Sequence, residues 1–356
     1  HLQRIDRVNP DVNAVVALDP EVGRAQADAI DRKRAAGEPL GVLAGLVTAH
    51  KDLTETADFP TTYGSPVFAD FQPGVDSLLV ARVKAADAVA IGKTNTPEFG
   101  AGSHTFNPVY GVTRNPWDLE RSAGGSSGGA AAALATGMVS VADGGDMGGS
   151  LRNPAAWNGV VGMRGSAGLV PSIGSGFARA SLGTEGAMGR TVADLCLLLH
   201  VIGAPDARDP NNRGVVVPST PPPLDRSRPM RVAYSPTLGG LAIEAPVADA
   251  VARFVERVGE LGWEVDEHEI DFAGADDSFA TIRSMLFANG TGPLAEVKLR
   301  SSEIKRTVQE EFARGAELTS AEIAAAHVQL KALWRRSVEF FSEVDVMIAP
   351  VTQLSP

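Results

Sequence analysis

The chain has 356 residues, 44% of them hydrophobic and 21% charged, which is ordinary globular material with length for two average domains or one large α/β domain. Its formal net charge of −11 argues against nucleic acid as the main partner, because phosphate binding wants a basic face. A single cysteine excludes an intrachain disulfide, and no apolar run approaches the roughly 20 residues of a membrane span.

That cysteine, Cys196, lies in the run Leu195-Cys196-Leu197-Leu198-Leu199 and reads as an inert core thiol. The six histidines are scattered, so no metal is expected, and no organic cofactor. No signal peptide is visible, and a cytoplasmic location is expected. The oligomeric state is left open, a homo-oligomer included.

Residues 1–36 read as helical pieces. Leu2, Ile5 and Val8 share a face, Asn9-Pro10 is expected to break the first helix, and Glu21 to Ala36 forms a charged amphipathic one. Gly45 to Leu53 is strand-like and ends on Lys51-Asp52. A lysine at a strand end is more often a surface charge. Once buried, its pKa falls and it can act as a neutral base. Asp76 to Ala86 is helical, Ala88 to Ile91 is a strand, and Lys93 follows as a competing lysine. The residues alone do not choose between Lys51 and Lys93. Residues 100–121 are loop-rich, and Trp117 there is expected to seal the core.

The next stretch, 122–165, organises the chain. It holds two glycine-flanked serine sites, Gly124-Gly125-Ser126-Ser127-Gly128-Gly129 and Gly148-Gly149-Ser150, with the alanine-rich segment Ala130 to Gly137 between them. Flanking glycines let backbone approach a ligand closely. Ser126 and Ser127 lead into a segment of high helix propensity, and Ser150 precedes Asn153-Pro154, a capping pair. One helix and one return segment could bring the serines together. A flexible linker is the bland alternative, but these glycines are set in alanine and valine, not in a polar tract.

Beyond it, Val160 to Met163 reads as a strand, and Thr184 to Asp194 introduces a helix reaching about Gly203. Pro205 to Pro229 is polar and proline-rich, the best linker in the chain. Arg231 to Tyr234, Val247 to Leu261 and Glu264-Val265 read as a βαβ-like unit. Residues 276–341 are mostly helical, and Val344 to Pro350 is a last strand.

The segment Asp146-Met147-Gly148-Gly149-Ser150-Leu151-Arg152-Asn153-Pro154-Ala155, placed after GGSSGG and an alanine-rich helix, resembles the amidase signature family. Gly45 to Asp52 is similar to the family's lysine segment, with Val47 in place of a proline and Leu53 where relatives often have Asn. Gly145 and Met147 also depart from the commonest pattern. The stretches Asn107 to Trp117 and Asp143 to Met147 look like stand-alone members, cyclic amide hydrolases among them.

The resemblance implies an α/β fold with a mixed β-sheet core sandwiched by helices. It divides the chain into a signature core at 1–204, the linker at 205–229, and at 230–356 the remainder of the α/β domain, whose C-terminal part is expected to be incomplete. It implies that Ser150 attacks an amide carbonyl, that Ser126 bridges Ser150 and Lys51, that Lys51 is the base, and that a cis peptide precedes Ser126. The backbone N–H groups of Asp146, Met147, Gly148 and Gly149 are the candidate oxyanion donors, because glycines allow them to converge. Ser127 is expected to hydrogen-bond near the site, and Arg152 to organise loops or serve as an ion-pair partner. The expected partner is a small-molecule amide.

Three alternatives stand beside this reading. Gly125-Ser126-Ser127-Gly128-Gly129 formally fits the G-x-S-x-G elbow of an α/β-hydrolase with Ser127 as nucleophile, and His268 or His327 could then serve it. The ammonia-producing subunit of the glutamine-dependent tRNA amidotransferase shares the signature motifs; Leu53, Gly145 and Met147 favour a stand-alone amidase over it. A non-catalytic binding relative is the third, opposed by the retention of Lys51, Ser126 and Ser150.

Overall fold

The computed structural model describes residues 1–173, 177, 179, 181–224, 227–290, 293–298 and 300–356. Residues 225 and 226 of the expected linker, and 291, 292 and 299 of the expected helical stretch, lie outside them. The chain divides into two compact units, His1–Pro222 with Gly290–Gln309 and Pro356, and Pro223–Asn289 with Glu310–Ser355.

In the first unit the helix Leu2–Val12 runs through Pro10. The expected break comes instead at Asn13, which takes a left-handed conformation (φ 54°) and returns its N–H to Asn9 O. Asn9 also accepts from the N–H groups of Ala14 and Val15, so its side chain fastens the exit of the helix. Pro20–Ala35 follows, capped by Asp19, with Pro20 in the first turn where its missing N–H costs nothing.

The strands Val47–Lys51 and Val89–Thr94 pair in parallel, and Val15–Val16 pairs antiparallel with the second, so this sheet is mixed. The register sets Lys51 beside Thr94 and His50 beside Lys93. A second, antiparallel sheet holds Val141–Asp146, Thr184–Gly189 and Val161–Met163, with Thr184–Gly189 in the middle. Two of its strands, VADGGD and TEGAMG, do not read as strands, because glycine normally weakens one. Tertiary packing explains them. A Cβ on Gly144 would stand 2.6 Å from Ser127 Oγ and 2.7 Å from Leu151 Cδ2, and one on Gly186 would stand 2.7 Å from Leu151 Cδ1. These glycines admit the serine segments against the sheet.

The helix Gly128–Ala135 is buried along nearly its whole length, and Ala130 to Leu134 are 0% exposed. A helix apolar all round belongs inside a core, and alanine lets neighbouring backbones come close on every side. Cys196 is half-buried on Val192–Ile202, against a second apolar cluster. Trp117 corrects an expectation. It does not seal the core but is 73% exposed, because its indole N–H is anchored on Asn158 O at 2.8 Å, in the chain just before Gly159.

The second unit has three parallel strands, in the order Glu264–Glu267, Arg231–Tyr234, Val346–Ile348. The helix Ala245–Gly259 connects the first two in sequence, giving the βαβ arrangement. Thr319 and Glu322 form a capping box that starts the long helix Ser320–Glu343. Among the described residues no helix is long and apolar enough to cross a membrane.

Two buried lysines in the first sheet have a measurable consequence. Burial lowers the Lys93 amine from 10.5 to about 8, although Asp52 opposes the shift. The unfolded chain therefore binds more protons than the folded one between about pH 8 and 10.5. Stability is expected to rise with pH across that window and to fall back as pH drops through 8. Urea midpoints of the protein and of Lys93→Met check this; the rise should be smaller in the variant.

Candidate active site

Lys51 closes its strand with its side chain 1% exposed. Its Nζ donates to Ser126 Oγ at 2.7 Å and to Ser127 Oγ at 2.9 Å, across some 75 residues of chain. Lys93 is equally buried but faces elsewhere. Its Nζ donates to Thr54 O and to Thr61 Oγ1. Of the two lysines, Lys51 is the one whose amine meets the serines.

The serine loop is shaped for this contact. Gly124 has φ 74°, the peptide Gly125–Ser126 is cis, and the alanine helix begins directly after Ser127. The second serine segment is tied to the first by the Ser127 N–H, which donates to Ser150 O at 3.1 Å. Ser126 and Ser127 are buried, whereas Ser150 is half-buried.

Asp146 shapes the turn before Ser150. Its carboxylate accepts from Gly149 N–H at 2.8 Å and Leu151 N–H at 3.1 Å, and from Arg152 Nε at 3.0 Å and Nη2 at 2.9 Å. Burial works against the charged form, but Arg152 and those N–H groups outweigh it and hold the carboxyl well below the usual range. Arg152 is thus an ion-pair partner that also organises the loop. Gly149 (φ 113°) has its N–H engaged inside the turn, which sets it apart from the other candidate oxyanion donors. Asp146 ends the paired strand. Met147 and Gly148 have no acceptor for their N–H groups among the described residues, and Gly148 is exposed.

The electrostatics centre on the lysine. Burial pulls Lys51 down from 10.5 to about 8, against the opposing charges of Glu185, Asp143 and Asp146. Asp143 was not singled out from the sequence. It takes His50 Nδ1 at 2.7 Å, Thr54 Oγ1 at 3.0 Å and the Lys51 backbone N–H at 3.3 Å. Burial raises its pKa, but His50 and Thr54 more than compensate, and the carboxyl lies below its ordinary value. His50, the residue just before the lysine, is thus the partner that ties this carboxylate to the strand. Glu185 was missed as well; burial pushes it up to about 7 against the charge of Lys51.

The family model described as Amidase matches residues 1–356. The chain belongs to the amidase signature family. It is 42% identical to a glutamyl-tRNA(Gln) amidotransferase subunit of Streptomyces avermitilis over 75% of this chain and 54% of that protein. The corresponding subunit of Picosynechococcus is 39% identical over 74% of this chain and 55% of its own length. The chain thus spans about half the length of the curated relatives it matches. Among solved structures, a bacterial aryl acylamidase superposes with a TM-score of 0.88 at 28% identity, covering 100% of this chain and 76% of the other. A 6-aminohexanoate cyclic dimer hydrolase complexed with substrate superposes at 0.83 with 26% identity, covering 96% and 72%.

The amidase signature fold accounts for the mixed α/β architecture and for the Ser-Ser-Lys arrangement. It also removes the α/β-hydrolase reading. The strand preceding Ser127 ends at Ser122, a loop intervenes, and the group that meets Ser127 is Lys51.

Proposed function

We propose that this amidase-signature protein hydrolyses a small-molecule carboxamide to a carboxylic acid and ammonia or an amine, through an acyl-enzyme on Ser150. The observation that carries the reading is the buried hydrogen bond from Lys51 Nζ to Ser126 Oγ, 2.7 Å long, beside a segment tied to Ser150. A serine hydroxyl is a weak nucleophile until a base takes its proton. In this reading Ser150 Oγ attacks the carbonyl carbon as its proton passes to Ser126. Ser126 delivers its own proton to Lys51. The lysine then returns a proton through Ser126 to the leaving nitrogen, and water releases the acid from Ser150. Ser127 holds the amine in place. The tetrahedral oxygen is assigned to the free N–H groups of Met147 and Gly148, at the end of the strand that Asp146 closes, while Gly149 keeps the turn. One such donor is worth about 3 kcal/mol of barrier. These steps call on no metal or organic cofactor.

The aryl acylamidase and cyclic dimer hydrolase likenesses favour a stand-alone enzyme on small amides. A second reading, the ammonia-producing subunit of a tRNA amidotransferase, is favoured by the 42% identity to a protein of that kind. Leu53, Gly145 and Met147 speak for the first. Expression in the native host separates them: a stand-alone enzyme purifies without partner subunits and hydrolyses simple amides alone.

The direct test is a serine-reactive fluorophosphonate with peptide mass mapping. A single adduct on Ser150, lost in Lys51→Ala, is expected. An adduct on Ser127 instead, or labelling indifferent to Lys51, would sink the assignment.

A further inference from the structure

The strand Val47–Lys51, which carries the lysine, lies at the edge of its sheet. It pairs with Val89–Thr94 on one side, and no strand pairs with its other side among the described residues. An edge strand leaves N–H and C=O groups without ladder partners. Here two of them are taken from the other sheet. At the start, Ser140 N–H donates to Val47 O at 2.8 Å. At the end, Lys51 N–H donates to the side chain of Asp143, to Oδ2 at 3.3 Å. Asp143 stands on Val141–Asp146, the strand that leads through residues 147–149 to Ser150. One carboxylate therefore joins the strand of the lysine to the strand that delivers the proposed nucleophile.

Asp143 is 1% exposed and holds three donors. His50 Nδ1 meets Oδ1 at 2.7 Å, while Oδ2 takes the Lys51 N–H and, at 3.0 Å, Thr54 Oγ1. Burial opposes its charge, but His50 and Thr54 keep the carboxyl below its ordinary value, so near neutral pH it is ionised and can only accept. The proton of that ring contact is therefore on Nδ1. With one oxygen fixed by His50, the other is aimed at residues 51 and 54. Those two are tied again by the Thr54 N–H, which donates to Lys51 O at 2.8 Å. The carboxylate thus closes a turn around the lysine backbone. Its contact is with the main chain of Lys51; the amine of that residue meets Ser126 and Ser127 instead.

We propose that Asp143, oriented by His50, fixes the backbone at Lys51 so that the amine reaches Ser126 and Ser127. This rests on the lysine–serine reading above. A lysine side chain has many rotamers, and holding its amine against two hydroxyls at once demands a fixed starting point at Cα. Asp143 takes no part in the proton transfers, since its bonds go to His50, Thr54 and a backbone N–H. It is a positioning residue that acts through Lys51.

The test is the rate of fluorophosphonate labelling of Ser150, corrected for folded fraction by a thermal melt, with a crystal structure of each variant. Asp143→Asn, which cannot accept on both sides, is expected to slow labelling about 10²-fold, with the Lys51 amine displaced from the serines. Thr54→Val removes one donor and leaves the carboxylate its other two; labelling about three- to tenfold slower is expected. His50→Asn offers an amide N–H in place of Nδ1 and should label within about threefold of wild type, whereas His50→Leu should approach Asp143→Asn. A merely structural role would lower the melting temperature without moving the amine or the rate per folded molecule. An amine in its wild-type place in Asp143→Asn, with labelling within about twofold of wild type, would overturn the proposal. Should Asp143→Asn not fold, Thr54→Val and His50→Leu decide it by the same two readouts. Failure of the lysine–serine reading shows itself differently, as a wild type not labelled on Ser150, and the variant structures still show whether Asp143 sets the position of the amine.

Discussion

Ser150→Ala is expected to lower turnover of an activated amide such as 4-nitroacetanilide by on the order of 10⁴–10⁶-fold, with the melting temperature within a few degrees of wild type. The size follows from the kind of role assigned. A nucleophile has no substitute, so the covalent route closes and only binding and oxyanion stabilisation remain. The neutral melt follows from position. Ser150 is half-buried, and its contribution to the fold is a backbone carbonyl that accepts from the Ser127 N–H, which alanine retains. Steady-state kinetics on the purified variant with a thermal melt check both halves. Residual turnover above about a hundredth of wild type would remove Ser150 from the nucleophile position and turn attention to Ser126 or Ser127.

Lys51→Met is expected to cost about 10³–10⁴-fold and to abolish the acid limb of the pH–rate profile. The sign follows from burial. The Lys51 amine is lowered to about 8, so its neutral fraction, the only form able to take a proton, falls roughly tenfold for each pH unit below 8. Wild-type kcat/KM should decline along that slope and level off above about pH 8. Methionine fills the volume but takes no proton, so its residual rate should lack that slope. A wild-type rate that stays flat from about pH 9 down to pH 5, with chemistry shown to be limiting, counts against a lysine base. Lys93→Met separates the two buried lysines. It should change stability while leaving the midpoint of the acid limb in place.

The glycine-serine stretch was legible because its information is local. Gly124 to Gly129 and Gly148 to Ser150 have a spacing that one helix and one return segment can fill, and alanine between them announces the helix. The same locality made the apolar run around Cys196 readable. Local rules failed where the reason lay across the fold. Val141–Asp146 and Thr184–Gly189 are strands despite their glycines, because the opposite sheet face is filled by Ser127 and Leu151. Trp117 is outside because a single carbonyl, Asn158 O, holds its indole.

By itself the sequence determined which residue types this chain brings to the site and which chemistry they can perform: two glycine-set serines, a lysine at a strand end, and no cysteine or histidine cluster to compete. It did not choose between Lys51 and Lys93, because both are lysines at the end of apolar strands and periodicity treats them alike. Only the tertiary structure shows which of the two amines meets the serines. The parallel pairing of Val47–Lys51 with Val89–Thr94 sets the two side by side, yet sends one amine to Ser126 and Ser127 and the other to Thr54 and Thr61. The carboxylates that tune Lys51 were likewise decided in three dimensions. Asp143 lies 92 positions from it in the chain and in the other sheet, and it reaches the Lys51 backbone N–H by a side-chain contact between sheets, which carries no local signature.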